Sequence, residues 1–113
     1  MSQATPKNFF SRVVAIPAAS ATSLNTLLVA AGWVETDSRI GGQCMVKPIT
    51  TTVYVGDDEN VRDAAGLGVY QGFPLDVGDI ANLAGYTGLL VDPNETWVYN
   101  AAGDSIGLML ELT

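Results

Sequence analysis

Four acidic side chains within residues 57–63 form the densest set of candidate metal ligands in the chain. They are Asp57, Asp58, Glu59 and Asp63. Calcium prefers carboxylate oxygens, but an EF-hand loop places its ligands at fixed alternating positions and ends on a bidentate glutamate. The four residues do not follow that spacing, and no pair of carboxylates is singled out for glycoside hydrolysis. We therefore expect a solvated turn and no bound metal.

The chain contains one cysteine, Cys44, and no histidine. Cys44 lies in the apolar run 43–46, and a Cys–His catalytic pair cannot form without a histidine. The side chain is predicted to be buried as a small hydrophobe, and a single cysteine excludes an internal disulfide. These features indicate a protein that is not an enzyme.

Three glycines are spaced loosely like those of a phosphate-binding loop. They are Gly66, Gly68 and Gly72. A phosphate-binding loop continues into a Lys-Ser/Thr pair and a helix, and neither follows these residues. We interpret the glycines as conformational, present where the backbone bends.

Aromatic residues are the remaining candidates for binding chemistry. Trp97 and Tyr99 alternate along an apolar run, so they share one face of a predicted strand. Aromatic side chains dominate both protein cores and protein interfaces, which makes core or subunit interface the favoured interpretation of this face. A sugar-binding platform that includes Tyr70 is the alternative. The candidate contact residues are Tyr54, Tyr70, Trp97 and Tyr99.

The composition restricts the partners of this 113-residue chain. Apolar residues make up 48% and charged residues only 15%, which indicates either a rich core or an apolar surface covered by partners. The net charge is −7 and the five basic residues are scattered singly, so we expect no direct nucleic-acid binding. The longest apolar stretch, 27–34, is far shorter than the roughly 20 residues of a membrane span. No signal peptide is apparent, and we expect a soluble protein made in the cytoplasm, with no membrane partner.

One helix is predicted from the spacing of apolar residues between 20 and 32. Leu24, Leu27, Leu28 and Ala31 follow the i, i+3, i+4, i+7 pattern of a helix face. Ser20 or Thr22 is predicted as the N-cap, and Gly32 is predicted to end the helix in the left-handed conformation.

Short β-type runs that end at a glycine or an Asp/Asn turn fill the rest of the chain. They predict a mainly β fold, an antiparallel β-sandwich or barrel with one short α-helix near residues 22–31. A flexible N-terminal arm is expected at 1–8 and a single β-rich domain at 9–113. The predicted strands are 9–16, 43–50, 51–55, 80–83, 89–91, 96–99 and 106–112. Breaks, turns or loops are predicted at 41–42, 57–60, 61–69, 72–75 and 92–95, with a hairpin loop at 101–104.

Four short pieces occur in order in the second half of the chain. They are V-Y-V-G-D at 53–57, G-F-P-L-D-V-G at 72–78, W-V-Y-N-A-A-G at 97–103 and the apolar strand L-M-L-E-L at 108–112. Together with the preceding helix and Trp33, this order resembles small structural proteins of tailed bacteriophages. The resemblance covers about residues 20–113, and its motifs are short and turn-driven.

Proteins of this kind are head decoration (cement) proteins, head-fibre bases or other minor virion components. The resemblance implies a β-rich fold with no cofactor and no catalytic residues. It leads us to expect a capsid decoration protein of the virion that binds the major capsid protein and self-associates as a dimer or trimer on the shell. A head-fibre or tail component is the alternative within this class, and a carbohydrate-binding module is the alternative outside it. The segment 58–70 is longer than the pattern and is expected to add a contact element.

Overall fold

Ten short strands and one helix form the part of the chain that a computed structural model describes, residues 9–32, 41–83 and 92–112. The predicted arm 1–8 and the predicted strand 89–91 lie outside these residues. The elements are β1 (Phe9–Ala15), β2 (Thr22–Ser23), α1 (Leu24–Ala30), β3 (Gly41–Pro48), β4 (Val53–Gly56), β5 (Val61–Arg62), β6 (Tyr70–Gln71), β7 (Phe73–Leu75), β8 (Ala81–Asn82), β9 (Trp97–Tyr99) and β10 (Ser105–Leu112).

Two four-stranded sheets carry the fold. The first sheet has the strand order β1-β10-β3-β8, and the second has the order β2-β9-β4-β7. Every neighbouring pair in both sheets is antiparallel. Strands β5 and β6 form a separate, parallel pair. The predicted mainly β fold with antiparallel sheets and one short helix is confirmed.

The core is built from one face of each sheet. In β10, Ile106 and Leu108 alternate with Gly107 and Met109, so two apolar side chains point inward from the middle of the first sheet. The second sheet contributes Val98, which is fully buried. Burial of each such aliphatic side chain contributes about 1.5–3 kcal/mol. The core cluster comprises Ile16, Leu24, Leu27, Leu28, Cys44, Val46, Val53, Leu75, Ala81, Val98, Ile106 and Leu108.

Helix α1 closes the core with the apolar face that its spacing predicts. Its buried residues are Leu24, Leu27 and Leu28. The predicted N-cap was wrong: Ser23 holds that position, and its hydroxyl accepts a 3.2 Å hydrogen bond from the Thr26 amide. Ser20 and Thr22 precede the cap because the short strand β2 ends only at Ser23. Gly32 follows with φ +110°, and the predicted left-handed end is confirmed.

Three predicted local structures are corrected by strand pairing. Segment 101–104 is a crossover between sheets and not a hairpin loop, since β9 belongs to the second sheet and β10 to the first. Segment 72–75 is largely strand β7, an edge strand where Pro74 is tolerated. Strand β3 begins at Gly41 where a break was predicted.

Two turn predictions have different outcomes. The turn at 92–95 is confirmed by a 3.0 Å hydrogen bond from the Glu95 amide to the Asp92 carbonyl. Segment 61–69, predicted as an irregular loop, begins with the strand β5. In each of these cases the sequence identified where the chain bends, but it did not identify which strands pair on either side of the bend.

Candidate contact surfaces

The side of the first sheet that faces away from the core is an exposed, largely apolar surface, which we call the outer face. Opposite residues in an antiparallel pair share a face. Val13 is opposite Gly107, which is opposite Lys47. The outer face comprises Ser11, Val13, Met45, Lys47, Gly107 and Met109.

Exposure of apolar side chains distinguishes this surface from an ordinary solvated strand face. Val13 is 68% exposed, Met109 is 41% exposed, and the neighbouring Ile80 is 61% exposed. Together with Met45 they line a shallow groove of about 370 Å³. Gly107 lies at its centre without a side chain, although a β-carbon there would meet only ordinary contacts. An exposed apolar surface of this kind is typical of a contact site.

The four aromatic contact candidates lie on the opposite side of the molecule, on or beside the second sheet. Tyr54 is opposite Tyr99, and Trp97 is opposite Gly56, so these three rings share the face of the second sheet that points away from the core. Tyr99 is nevertheless only 8% exposed. The guanidinium of Arg62 lies over its ring, 5.4 Å from the centroid.

The chain covers its own aromatic face with the excursion 57–72, which contains β5 and β6. The Tyr70 hydroxyl accepts hydrogen bonds from the amides of Asp57 (2.9 Å) and Asp58 (3.1 Å), and it donates to the Asp57 carboxylate (2.8 Å). Gly72 permits this close approach, because a β-carbon there would lie 2.8 Å from the Val55 carbonyl oxygen. The excursion is thus a packed element, and Tyr70 anchors it with its polar end.

At its tip the excursion presents an apolar side chain to solvent. Gly66 and Val69 exchange backbone hydrogen bonds of 3.1 and 3.3 Å, and Gly68 has φ +73°. Leu67 lies between them and is fully exposed. Leu67 lies within the segment 58–70, where the resemblance predicts an added contact element, and that contact stays a prediction.

A second apolar cavity lies between the edge strands of the two sheets. It measures about 270 Å³ and is lined by Val55, Phe73, Leu75, Ala81 and Leu83. Phe73, on the edge strand β7, is 69% exposed. Among the residues that the structure describes, no polar side chain lines the cavity to orient a ligand.

The acidic cluster has the geometry of a turn. The carboxylate of Asp58 accepts a 2.7 Å hydrogen bond from the Asn60 amide, and the carboxylate of Asp57 accepts from Tyr70. Glu59 and Asp63 are exposed. Over residues 9–32, 41–83 and 92–112, no group of three His, Cys, Asp or Glu side chains is placed to hold a metal ion.

Cys44 is in the core, as predicted. It is 2% exposed and belongs to the cluster beneath the first sheet. Burial raises the pKa of its thiol to about 12, because the thiolate would lose its hydration. A protonated, inaccessible thiol is a poor nucleophile.

The outer face is the surface that the candidate aromatic residues did not indicate. A signal for it exists in β10, where residues 106–110 are apolar or glycine on both faces of the strand. Strands of antiparallel sheets with one solvated face normally alternate apolar and polar residues. A strand without that alternation in a sheet of this type indicates that both faces make contacts.

No protein-family model, curated protein or solved structure matches the chain. In the part of the chain that the structure describes, no helix has the length and apolar character needed to cross a membrane.

Proposed function

We propose that the protein is a structural component of a bacteriophage virion, a decoration protein that binds the major capsid protein and stabilises the shell. The observation that carries the proposal is the exposed apolar outer face around Val13, Met109 and Ile80. The order of short motifs between 53 and 112, which resembles small phage structural proteins, supports it independently.

The geometry of the outer face suits binding to another folded surface. It is a sheet face whose backbone is held in place by the paired strands β1, β10 and β3 before contact. Apolar side chains in the centre of a contact contribute most of its affinity, while a polar rim excludes water. Lys47 at the margin of the groove supplies a charged rim position. Many copies on a symmetric shell convert a modest affinity per copy into stable attachment.

The excess of acidic residues is consistent with the same role. With a net charge of −7, the protein would be steered toward a basic partner surface. The acidic residues 57–63 belong to the excursion that packs against the second sheet, while the outer face belongs to the first sheet, so charge and apolar contact are separated. We assign capsid contact to the outer face, so the net charge contributes long-range attraction to the shell and the acidic side takes no part in the contact itself.

The first experiment is peptide mass spectrometry of purified particles from the source culture, with copy number measured against the major capsid protein. Dozens to hundreds of copies per particle are expected for shell decoration. A handful would assign the protein to a tail or head-fibre position. Complete absence from particles would overturn the virion role.

A second experiment tests the assigned surface. Met109→Asp introduces a charge at the centre of the outer face, and binding to particles that lack the protein should fall at least tenfold in a co-sedimentation assay. Val77→Asp is the matched control, because Val77 is 53% exposed in a turn distant from β10 in sequence and absent from the groove lining. Equal binding by both variants would remove the outer face from the contact.

A further inference from the structure

Strand β1 is the one long edge strand among those that the structure describes in the two four-stranded sheets. Among the described strands, β1 pairs only with β10. The other edge strands of these sheets are β2 and β8 with two residues each and β7 with three, one of them Pro74. Strand β1 has seven residues, no proline, and no register irregularity with its partner. Natural proteins normally shorten, interrupt or charge such an edge, because it is a template for pairing with another chain.

The hydrogen-bond register identifies the groups that this edge presents. The Ile16 amide donates to the Asp104 carbonyl at 3.0 Å, which makes that opposite pair a hydrogen-bonded pair. Hydrogen-bonded and non-hydrogen-bonded pairs alternate along an antiparallel ladder. Val14 and Arg12 therefore direct their backbone groups toward β10. Ser11, Val13 and Ala15 direct theirs outward.

Two further observations agree with this parity. The Ile49 amide donates to the Ser105 carbonyl. The backbone N–H and C=O groups of the odd-numbered residues of β10 therefore point toward β3, and those of the even-numbered residues point toward β1. The carbonyl of Ser11 accepts a 2.7 Å hydrogen bond from the Arg12 guanidinium, which it can do because it is not part of the β1–β10 ladder.

We infer that β1 pairs antiparallel with β1 of a second copy of this chain, with Val13 on the two-fold axis. In this register Val13 exchanges hydrogen bonds with Val13 of the second copy, and Ser11 exchanges them with Ala15, whose amide replaces the Arg12 guanidinium at the Ser11 carbonyl. The two Val13 side chains meet on the outer face and join the two apolar grooves into one surface. Moving the two-fold axis by one residue toward the N-terminus would place Arg12 opposite Arg12, and directly opposite like charges are destabilising. Moving it by one residue the other way would place Ser11 opposite Pro17, which has no amide to donate. The pairing does not depend on the proposed capsid role, since it uses the strand edge alone.

Proline substitution separates edge pairing from folding. Val13→Pro removes an outward amide and leaves the ladder to β10 intact, a position at which edge strands tolerate proline. In sedimentation equilibrium the wild-type protein should approach twice its mass of 11.8 kDa as concentration rises. Val13→Pro should stay monomeric with an unchanged far-ultraviolet circular dichroism spectrum. Val13→Asp, which places two carboxylates beside each other on the axis, provides a second disrupting variant if the proline variant does not fold.

Cysteine cross-linking tests the register. Opposite residues of a hydrogen-bonded pair have Cα atoms about 5.5 Å apart, which is within the range that a disulfide spans. Val13→Cys should therefore form a covalent dimer on mild oxidation. Ser11→Cys should not, because its symmetry mate is displaced by about 13 Å along the strand. The native Cys44 is buried and should not contribute.

Met109→Asn distinguishes edge pairing from face-to-face association. It makes the centre of the outer face polar without touching the edge, so the dimer should persist. A wild-type protein that remains monomeric at all concentrations would overturn the inference. So would cross-linking at position 11 in place of 13, or a dimer lost in Met109→Asn and retained in Val13→Pro. None of these results would bear on the presence of the protein in virus particles.

Discussion

The side-chain amide of Asn100 donates a 2.9 Å hydrogen bond to the backbone carbonyl of Thr52, and so joins the crossover between the two sheets to the start of β4. Its carbonyl oxygen accepts from the amides of Ala102 (2.8 Å) and Asp104 (3.3 Å). Its backbone carbonyl accepts from Ala19 at 3.1 Å. Asn100 is only 3% exposed, so one buried residue connects three segments distant in sequence, two through its side chain and one through its backbone carbonyl.

Substitution Asn100→Asp should destabilise the fold by about 3 kcal/mol, because the variant loses two donors and turns a buried carboxylate oxygen toward the Thr52 carbonyl. The measurement is the free energy of unfolding in urea at pH 7. Asn94→Asp is the matched control, since Asn94 is exposed in a turn. A loss at Asn100 no larger than the control loss would show that the crossover does not depend on this network.

Tyr70→Phe should loosen the excursion 57–72 without unfolding the sheets. The hydroxyl that it removes bonds the amides of Asp57 and Asp58, and water replaces it at this partly exposed site, so we expect about 1 kcal/mol of destabilisation. Amide hydrogen exchange at these two residues should accelerate, while exchange in β10 stays unchanged. The same hydroxyl deletion at Tyr54 is the control. Equal acceleration in both variants would contradict the anchoring role.

Raising the pH above 9 should destabilise the protein through Cys44. Burial raises the pKa of this thiol from 9.0 to about 12, so the folded state holds its proton more tightly than the unfolded state. The associated stability is complete below pH 9 and is lost progressively between pH 9 and 12. Below pH 9, a thiol reagent should modify the native protein only as fast as it opens. Cys44→Ala removes the titrating group, and its stability should fall less steeply over the same pH range.

The sequence predicted the positions of the strands and the helix better than it predicted which strands pair. The α1 leucines at i, i+3 and i+4 and the apolar run of β10 are local patterns, and both predicted their elements correctly. The crossover at 101–104 has the turn residues of a hairpin, and only the pairing of β9 with β4 and of β10 with β1 shows that the chain changes sheets. The residues of a turn determine that the chain bends, but they do not determine which sheet the next strand joins.

The surfaces were predictable to a smaller extent. Trp97 and Tyr99 share a face, as their alternation requires, but the cover that Arg62 places over Tyr99 is a contact between distant segments. The exposure of Val13 and Met109 likewise depends on how distant segments of the chain pack together. Both lie in apolar strands, and which side of those strands faces the core depends on how the two sheets meet. Sequence period identifies two faces of a strand and does not determine which one is covered.

The tryptophan fluorescence of the protein should not change when glycans are added. A sugar platform needs open ring faces on which the sugar stacks, and Tyr99 is buried beneath Arg62 while the Tyr70 hydroxyl is engaged with backbone amides. Trp97 is only partly exposed. A Trp97→Phe variant isolates the signal of Trp33 and serves as the control. A saturable shift in the wild-type protein that Trp97→Phe abolishes would favour the carbohydrate-binding alternative, because it would show that sugar reaches the face that the excursion 57–72 covers.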